Sequence, residues 1–453
     1  VVPAPPSPPA PPPLPLPPPS PPTPPPAPLP PLAPPPPPPP LHQTVAGYAL
    51  METIYGVQPA DEAGERVALS ADGQTLAVAA DRSDGNDHPT DSNRGHVRVY
   101  RHNGTDWNQL GGDHDILGDA GDSLGYSVSL SADGNVVVAG AEGEKYLRVM
   151  RWTGVAWEGM GQNGGVVSET PSGFGAEVAI SDDGYTVLTS ARYVGEMHPY
   201  AYDVDQNTWS AMPGDAAAMN VGSGWFGYRI ALSGDGKTAV MCKRSTSNVV
   251  RVYRWDETLG WQMLHTNLCT AVADVCVTGY SYWLSLSHDG NTVAIGDWAA
   301  DQVAVLDYDG VGGWTRRGGL ITGDMVVDTG TAHNINAGAM ALSADGNTVA
   351  VGAFKAHSKK GVVQVFAWSG AAWIQLTADG YIDDNMGGVD DEDVGERLGY
   401  SVALSADGLT LATGAHYHDG QRGYARVYRA YPHASPPALP PPPAPPPSLP
   451  PPP

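Results

Sequence analysis

Short runs in which apolar and polar residues alternate recur from about residue 45 to residue 430. Each is only four to seven residues long, which is the period-two signature of half-buried β-strands. They are organised around Leu-Ser-x-Asp-Gly and its variants. The segment reads Leu69-Ser-Ala-Asp-Gly73 and returns from Leu130, Ile180, Leu232, Leu286, Leu342 and Leu404. The glycines stand at 73, 134, 184, 236, 290, 346 and 408, between 50 and 62 residues apart. Asp-Gly between two apolar runs marks a hairpin, because glycine accepts the positive φ that a tight turn requires. Recurrence at this period predicts a propeller, solenoid or array.

The repeat resolves into four predicted strands. The innermost precedes the turn, as in Tyr126–Ser131, and the second follows it, as in Asn135–Gly140. A third is rich in Val, Tyr and Arg, as in His96–Arg101, Leu147–Arg151, Val250–Arg254 and Ala425–Arg429. A fourth begins at Trp107, Trp157, Trp209, Trp261, Trp314 and Trp373. Seven such units predict an all-β fold, a seven-bladed β-propeller of four-stranded blades. The last unit stops after its third strand, while Ala46–Ile54 stands alone before the first, with Tyr48 in the tryptophan's place. The expectation is that residues 46–54 pair with the strand around Ala425–Arg429 and close the ring, removing two exposed edges. On the innermost strands Ala68, Ser129, Ala179, Ala231, Ser285, Ala341 and Ala403 share one face. These small residues are expected where seven strands converge on a narrow axis, with Val67, Leu69, Val128, Leu130, Val178 and Ile180 filling the layers between blades.

Composition divides the chain further. Residues 1–41 and 432–453 are proline-rich and flank the predicted propeller, residues 42–431. Proline lacks an N–H and fixes φ near −65°, so both segments are expected to form polyproline II arms. At ~3.1 Å per residue the longer one would reach on the order of 120 Å.

The net charge of −24, with 48 acidic against 24 basic residues, argues against a phosphate-binding surface and so against nucleic acid. No run of 18 apolar residues predicts a membrane span. The chain begins Val-Val-Pro, which reads as a mature chain after removal of an export signal. Cys269 and Cys276 are close enough in sequence to bridge, with Cys242 in a predicted buried strand. A disulfide there and the Asn103-Gly-Thr sequon together point to secretion.

Written out, the repeat resembles the FG-GAP repeats of integrin-α-type propellers. Phe-Gly stands at Phe174-Gly175 and Phe226-Gly227, with Leu-Gly at Leu124-Gly125 and Leu398-Gly399. Gly-Ala stands at Gly140-Ala141, Gly352-Ala353 and Gly414-Ala415, without the proline. The calcium loops of that family place Asp at alternate positions; Ser-x-Asp-Gly here is too short to supply the ligands, so those sites are not carried over. The arms resemble the hydroxyproline-rich glycoproteins of green-algal walls and flagellar surfaces. That resemblance implies hydroxylation and O-glycosylation around Ser7, Pro8, Pro9, Ser20, Pro21, Pro22, Thr23, Ser435, Pro436 and Pro437.

Three candidate sites remain. At the axial end of the innermost strands one position holds Arg66, Ser127, Glu177, Arg229, Trp283, Ala339 and Ser401. Arg66, Glu177, Arg229 and Trp283 could receive a small ligand at the propeller mouth, but an internal salt-bridge set is the simpler reading. Two acidic loops, Asp81–Asp91 and Asp383–Asp393, could hold calcium, though neither has a calcium-loop spacing. No cofactor is otherwise implied. The 13 histidines fall into no metal or catalytic constellation, so an enzyme is not expected. The sequence therefore points to an extracellular structural glycoprotein whose arms associate with one another, joining propellers into a filament, surface appendage or wall layer. The alternative is an adhesion or carbohydrate-binding propeller on proline-rich stalks.

Overall fold

The computed structural model describes residues 45–83, 93–112, 115–168, 172–214, 226–243, 249–272, 275–276, 282–297, 302–322, 337–377, 381–383 and 395–432. The arms fall outside these residues. Seven antiparallel sheets follow one another along the chain, each running inner, second, third and outer strand, and together they form a seven-bladed propeller. In blades 1, 2 and 5 a short extra strand (Ile116–Leu117, Val166–Ser168 and Ile321–Thr322) pairs with the third strand beyond the end of the outer one.

The ring closes on the chain's own first strand. Val45–Tyr55 pairs antiparallel with Tyr424–Pro432, from Val45↔Pro432 to Tyr55↔Tyr424, and so becomes the outer strand of blade 7. Tyr48 is almost fully buried, and its hydroxyl donates to the Gly408 carbonyl at 2.5 Å. The points where the chain joins and leaves the propeller are therefore paired residues.

Seven apolar layers, one at each blade interface, make up the core. Second strands are covered on both sides; every residue of Thr75–Ala80 and Val136–Ala141 is buried. On the inner strands the large residues Val128, Leu130, Val178 and Ile180 pack on the preceding blade. Small residues pack on the following one: Ala68, Ala179 and Ala403 join the layers shared with blades 2, 4 and 1. Ser285 Oγ accepts from the Leu342 N–H of the next inner strand at 2.9 Å. The small face thus serves the contact between successive inner strands, and the axis is bordered by their edges.

Each Ser-x-Asp-Gly turn carries the same hydrogen bonds. In blade 2, Ser131 Oγ donates to Asp133 Oδ1 at 2.7 Å and accepts from Val136 N–H at 2.9 Å, while Asp133 accepts from Asn135 N–H at 2.9 Å. Gly134 has φ +65°, and a Cβ there would lie 2.5 Å from Thr75 Cβ of the preceding blade. Only glycine satisfies both the backbone and the neighbour.

The residue between Ser and Asp has a further use. Its N–H donates to the carbonyl of the equivalent residue in the next blade, through Ala71, Ala132, Asp182, Gly234, His288, Ala344, Ala406 and back to Ala71, at 2.8–3.0 Å. Seven backbone hydrogen bonds thus form a closed belt around the axis. His288 Nδ1 and Asp182 Oδ2 meet at 2.7 Å above it. A dimple of about 160 Å³ remains at this end.

Candidate functional site

The opposite end of the axis carries the charged and aromatic residues. Its backbone is set by the glycine two residues before the mouth position. Gly175 has φ +84°, and the inner strand bulges between Phe174 and Val178. A Cβ on Gly140 of the preceding second strand would lie 2.0 Å from the Gly175 carbonyl oxygen. The Phe-Gly and Gly-Ala glycines are thus two sides of one interblade contact. Ser127 Oγ donates to Gly175 O at 3.1 Å, and Ser401 Oγ donates to Gly64 O at 2.7 Å. Both serines couple blades and contribute nothing to the mouth.

Arg66, Glu177, Arg229 and Trp283 do converge. Arg229 Nη1 donates to Glu177 Oε1, and Arg66 Nη2 lies 3.9 Å from the same oxygen. The Arg229 guanidinium stacks 3.8 Å from the Trp283 ring centroid and 4.8 Å from that of Tyr228. Arg66 lies 5.9 Å from Tyr126 and 5.8 Å from Tyr400. Burial opposes the charge on Arg66, but Glu177 and its other neighbours outweigh this and hold the guanidinium above its ordinary pKa. Two cations share one carboxylate in a nearly dry setting, and Arg229 Nη1 and Arg66 Nη1 also donate to the Tyr228 and Glu65 carbonyls, both at 3.0 Å.

Beside this set lies a pocket of about 420 Å³ over blades 1 to 3, bordered in part by Asp81, Tyr126, Glu142, Lys145 and Tyr193. Arg192 organises its wall. Its Nη1 donates to Tyr126 Oη and its Nη2 to Glu142 Oε2, both at 2.7 Å, and its guanidinium lies 4.9 and 5.1 Å from the Tyr126 and Tyr193 rings. Lys145 holds φ +61° where blades 1, 3, 6 and 7 have Gly95, Gly195, Gly361 and Gly423. Sequence reasoning passed over Arg192, Glu142 and Phe354, and weighed His416 only as a metal seat with His418. All occupy the position after Gly-Ala or its equivalent, as Asp81 does, and reading that column down the repeats would have found them. On blades 6 and 7 it gives an aromatic cluster, with Tyr400 5.2 Å from Phe354 and 4.0 Å from His416.

Of the remaining candidates, Cys269 and Cys276 are joined in a disulfide with Cα atoms 5.1 Å apart, and Cys242 is buried in the adjoining layer. Asn103 is exposed in the turn between the third and outer strands of blade 1, and its Oδ1 accepts from Thr105 Oγ1 at 2.9 Å. In the acidic loops, Asp81 and Asp383 are described; Asp84–Asp91 and 384–394 lie outside the described residues. So do Ser7, Pro8, Pro9, Ser20, Pro21, Pro22, Thr23, Ser435, Pro436 and Pro437. Among the described residues no helix is long and apolar enough to cross a membrane.

Fold and site define a seven-bladed β-propeller module. No protein-family model matches the chain, and no curated protein matches it. Its fold is similar to that of the Cps50 (Swd1) β-propeller domain of Myceliophteria thermophila, with a TM-score of 0.52 at 10% identity over 83% of this chain and 99% of that one. Sqt1 from Chaetomium thermophilum matches with a TM-score of 0.49 at 17% identity over 82% of each chain. The periplasmic gluconolactonase PpgL of Pseudomonas aeruginosa matches with 0.46 at 17% over 75% and 97%. At these identities the likeness is one of fold alone.

Proposed function

We propose that this chain is an extracellular structural glycoprotein whose proline-rich segments, residues 1–41 and 432–453, link propellers into a filament or a cell-surface or wall assembly. The observation that carries the reading is the composition of those segments on both sides of a self-closed ring. Polyproline II is already extended, so ordering it against a neighbour loses less entropy than ordering a flexible chain. Its partner-free carbonyls and apolar ring edges suit side-by-side packing or an aromatic groove. Because Val45 and Pro432 are paired, both segments are attached at one edge of blade 7. In this reading the propeller is the head, and the proline-rich segments of neighbouring subunits associate into a shaft. Hydroxyproline glycans would sheath it. The Cys269–Cys276 disulfide and the exposed Asn103 sequon suit an oxidising, glycosylating route of secretion. Amino-acid analysis of the secreted protein should find hydroxyproline, and sedimentation should find large assemblies that vanish when residues 1–41 are removed. A monomer at high concentration in both forms would overturn the reading.

The pocket over blades 1 to 3 favours a second reading, a carbohydrate-binding head. Its tyrosines, carboxylates and lysine are the groups that stack on and hydrogen-bond to sugars. Binding on a glycan panel that is lost in Tyr193→Ala would establish it.

A further inference from the structure

Glu62 and Glu65 precede the inner strand of blade 1, and Asp81 follows its second strand. The hairpin register Arg66↔Ala79 brings Glu65 and Asp81 to the same end, where Gly64 N–H donates to Ala79 O at 3.1 Å. One carboxylate oxygen from each of the three acids lies within 4.8 Å of the others. All are buried, with 3%, 8% and 4% of Glu62, Glu65 and Asp81 exposed. Glu62 has Arg82 Nη1 at 3.0 Å. Glu65 Oε2 and Asp81 Oδ1 are buried and accept from no donor among the described residues.

The surrounding cations do not meet that need. Arg82 is taken by Glu62, Arg66 lies at Glu177 and donates to its neighbour's backbone at Glu65 O (3.0 Å), and Arg397 stacks 3.6 Å from the Tyr417 ring centroid. His416 of blade 7, 2% exposed, has a buried Nδ1 with no hydrogen-bond partner. Carboxyl groups packed this closely in a dry site require a positive species between them, either a cation or a proton shared between Glu65 and Asp81, whose carboxyl pKa burial and Glu65 push well up. Carboxylate oxygens alone select a hard cation over a thiophilic one. Asp81 also borders the 420 Å³ pocket, which gives an ion and its waters a path.

We propose that Glu62, Glu65 and Asp81 bind one hard divalent cation of the calcium, magnesium and manganese class. The ion completes its shell with water and clasps the seam where the ring closes. The linker that carries Glu62 and Glu65 joins the closing strand Val45–Tyr55 to blade 1. It is already tied to blade 7 by Glu62 N–H to Gln421 O at 2.7 Å and Ala63 N–H to Arg422 O at 3.1 Å. An ion bridging this linker to Asp81 would fasten blade 1 to blade 7. This inference stands apart from the filament reading.

The test uses the full chain, stripped with EDTA and titrated at pH 7 with CaCl2, MgCl2 or MnCl2. Native mass spectrometry should count one tightly held ion, and the melting temperature should rise by several degrees. Asp81→Asn and Glu65→Gln should each weaken binding at least tenfold, while Asp390→Asn, in the other acidic loop, leaves it unchanged. Binding that survives both substitutions, or that Asp390→Asn abolishes, would overturn the assignment. If neither variant folds, native mass and Mn2+ spin-resonance spectra of the unaltered chain decide. No ion retained at millimolar concentration means that a proton occupies the cluster instead, and the proposal fails.

Discussion

Replacing Tyr48 by alanine removes the largest buried side chain of the closing strand. Tyr48 is 2% exposed and packs in the layer between blades 6 and 7 with Leu411, Tyr428 and Val365. Truncating a buried aromatic residue costs about 3–5 kcal/mol. Loss of the hydroxyl's bond to the Gly408 carbonyl adds about 1 kcal/mol, so roughly 5 kcal/mol is expected. Unfolding entropy of ~2.1 cal/mol/K per residue over roughly 390 residues converts this to a fall of about 6 °C in melting temperature. Tyr48→Phe should lose only the hydroxyl's share, about 1–2 °C on the same scale. Val155→Ala, at a position 83% exposed, is the control and should shift nothing measurable. Calorimetry of the three variants reads the series. The closing strand also covers the edge of Tyr424–Pro432, so the alanine variant should aggregate more readily when warmed. Tyr48→Ala melting within 1 °C of the parent would mean that Val45–Tyr55 does not close the ring.

The Cys269→Ser, Cys276→Ser double variant should lose about 2.5 kcal/mol on loop-entropy grounds, and non-reducing peptide mapping of the parent should link that pair with Cys242 outside it. Gly134→Ala should cost at least ~2 kcal/mol by urea titration, because the new Cβ meets Thr75; Gly104→Ala, where a Cβ meets nothing within 4 Å, should cost clearly less. His96 is 2% exposed, and burial, with Arg98 adding to it, pushes its pKa down to about 4. The unfolded chain therefore takes up a proton near pH 6.5 that the folded one refuses. Stability is full above pH 6.5 and should fall by roughly 3 kcal/mol towards pH 4, a slope that His96→Gln should flatten.

Much of the architecture is written in local chemistry. Ser-x-Asp-Gly specifies its turn within five residues, and the tryptophans that open the outer strands pair across their hairpins with His102, Trp152, Tyr202, Trp255, Tyr308 and Trp368. Ring closure was legible because the missing outer strand of the last repeat and the orphan strand at the start complement each other. The belt through Ala71 and its equivalents was not, because backbone hydrogen bonds between blades leave no mark on side-chain choice. For the same reason the direction of the small face was misplaced. Alternation says which residues share a face but not which neighbour that face meets. Arg66, Glu177, Arg229 and Trp283 were found by aligning repeats. Glu62 and Glu65 were not, since they meet Asp81 only through the register of the hairpin between them.

The central claim is that the proline-rich segments turn a closed propeller into an assembly. Low-magnification electron micrographs of the purified, glycosylated chain, beside the same chain lacking residues 1–41, test it most directly. The account predicts fibres studded with propeller-sized heads for the first and dispersed single heads of unchanged melting temperature for the second. Identical fibres from the trimmed chain, or dispersed heads from both, would contradict it.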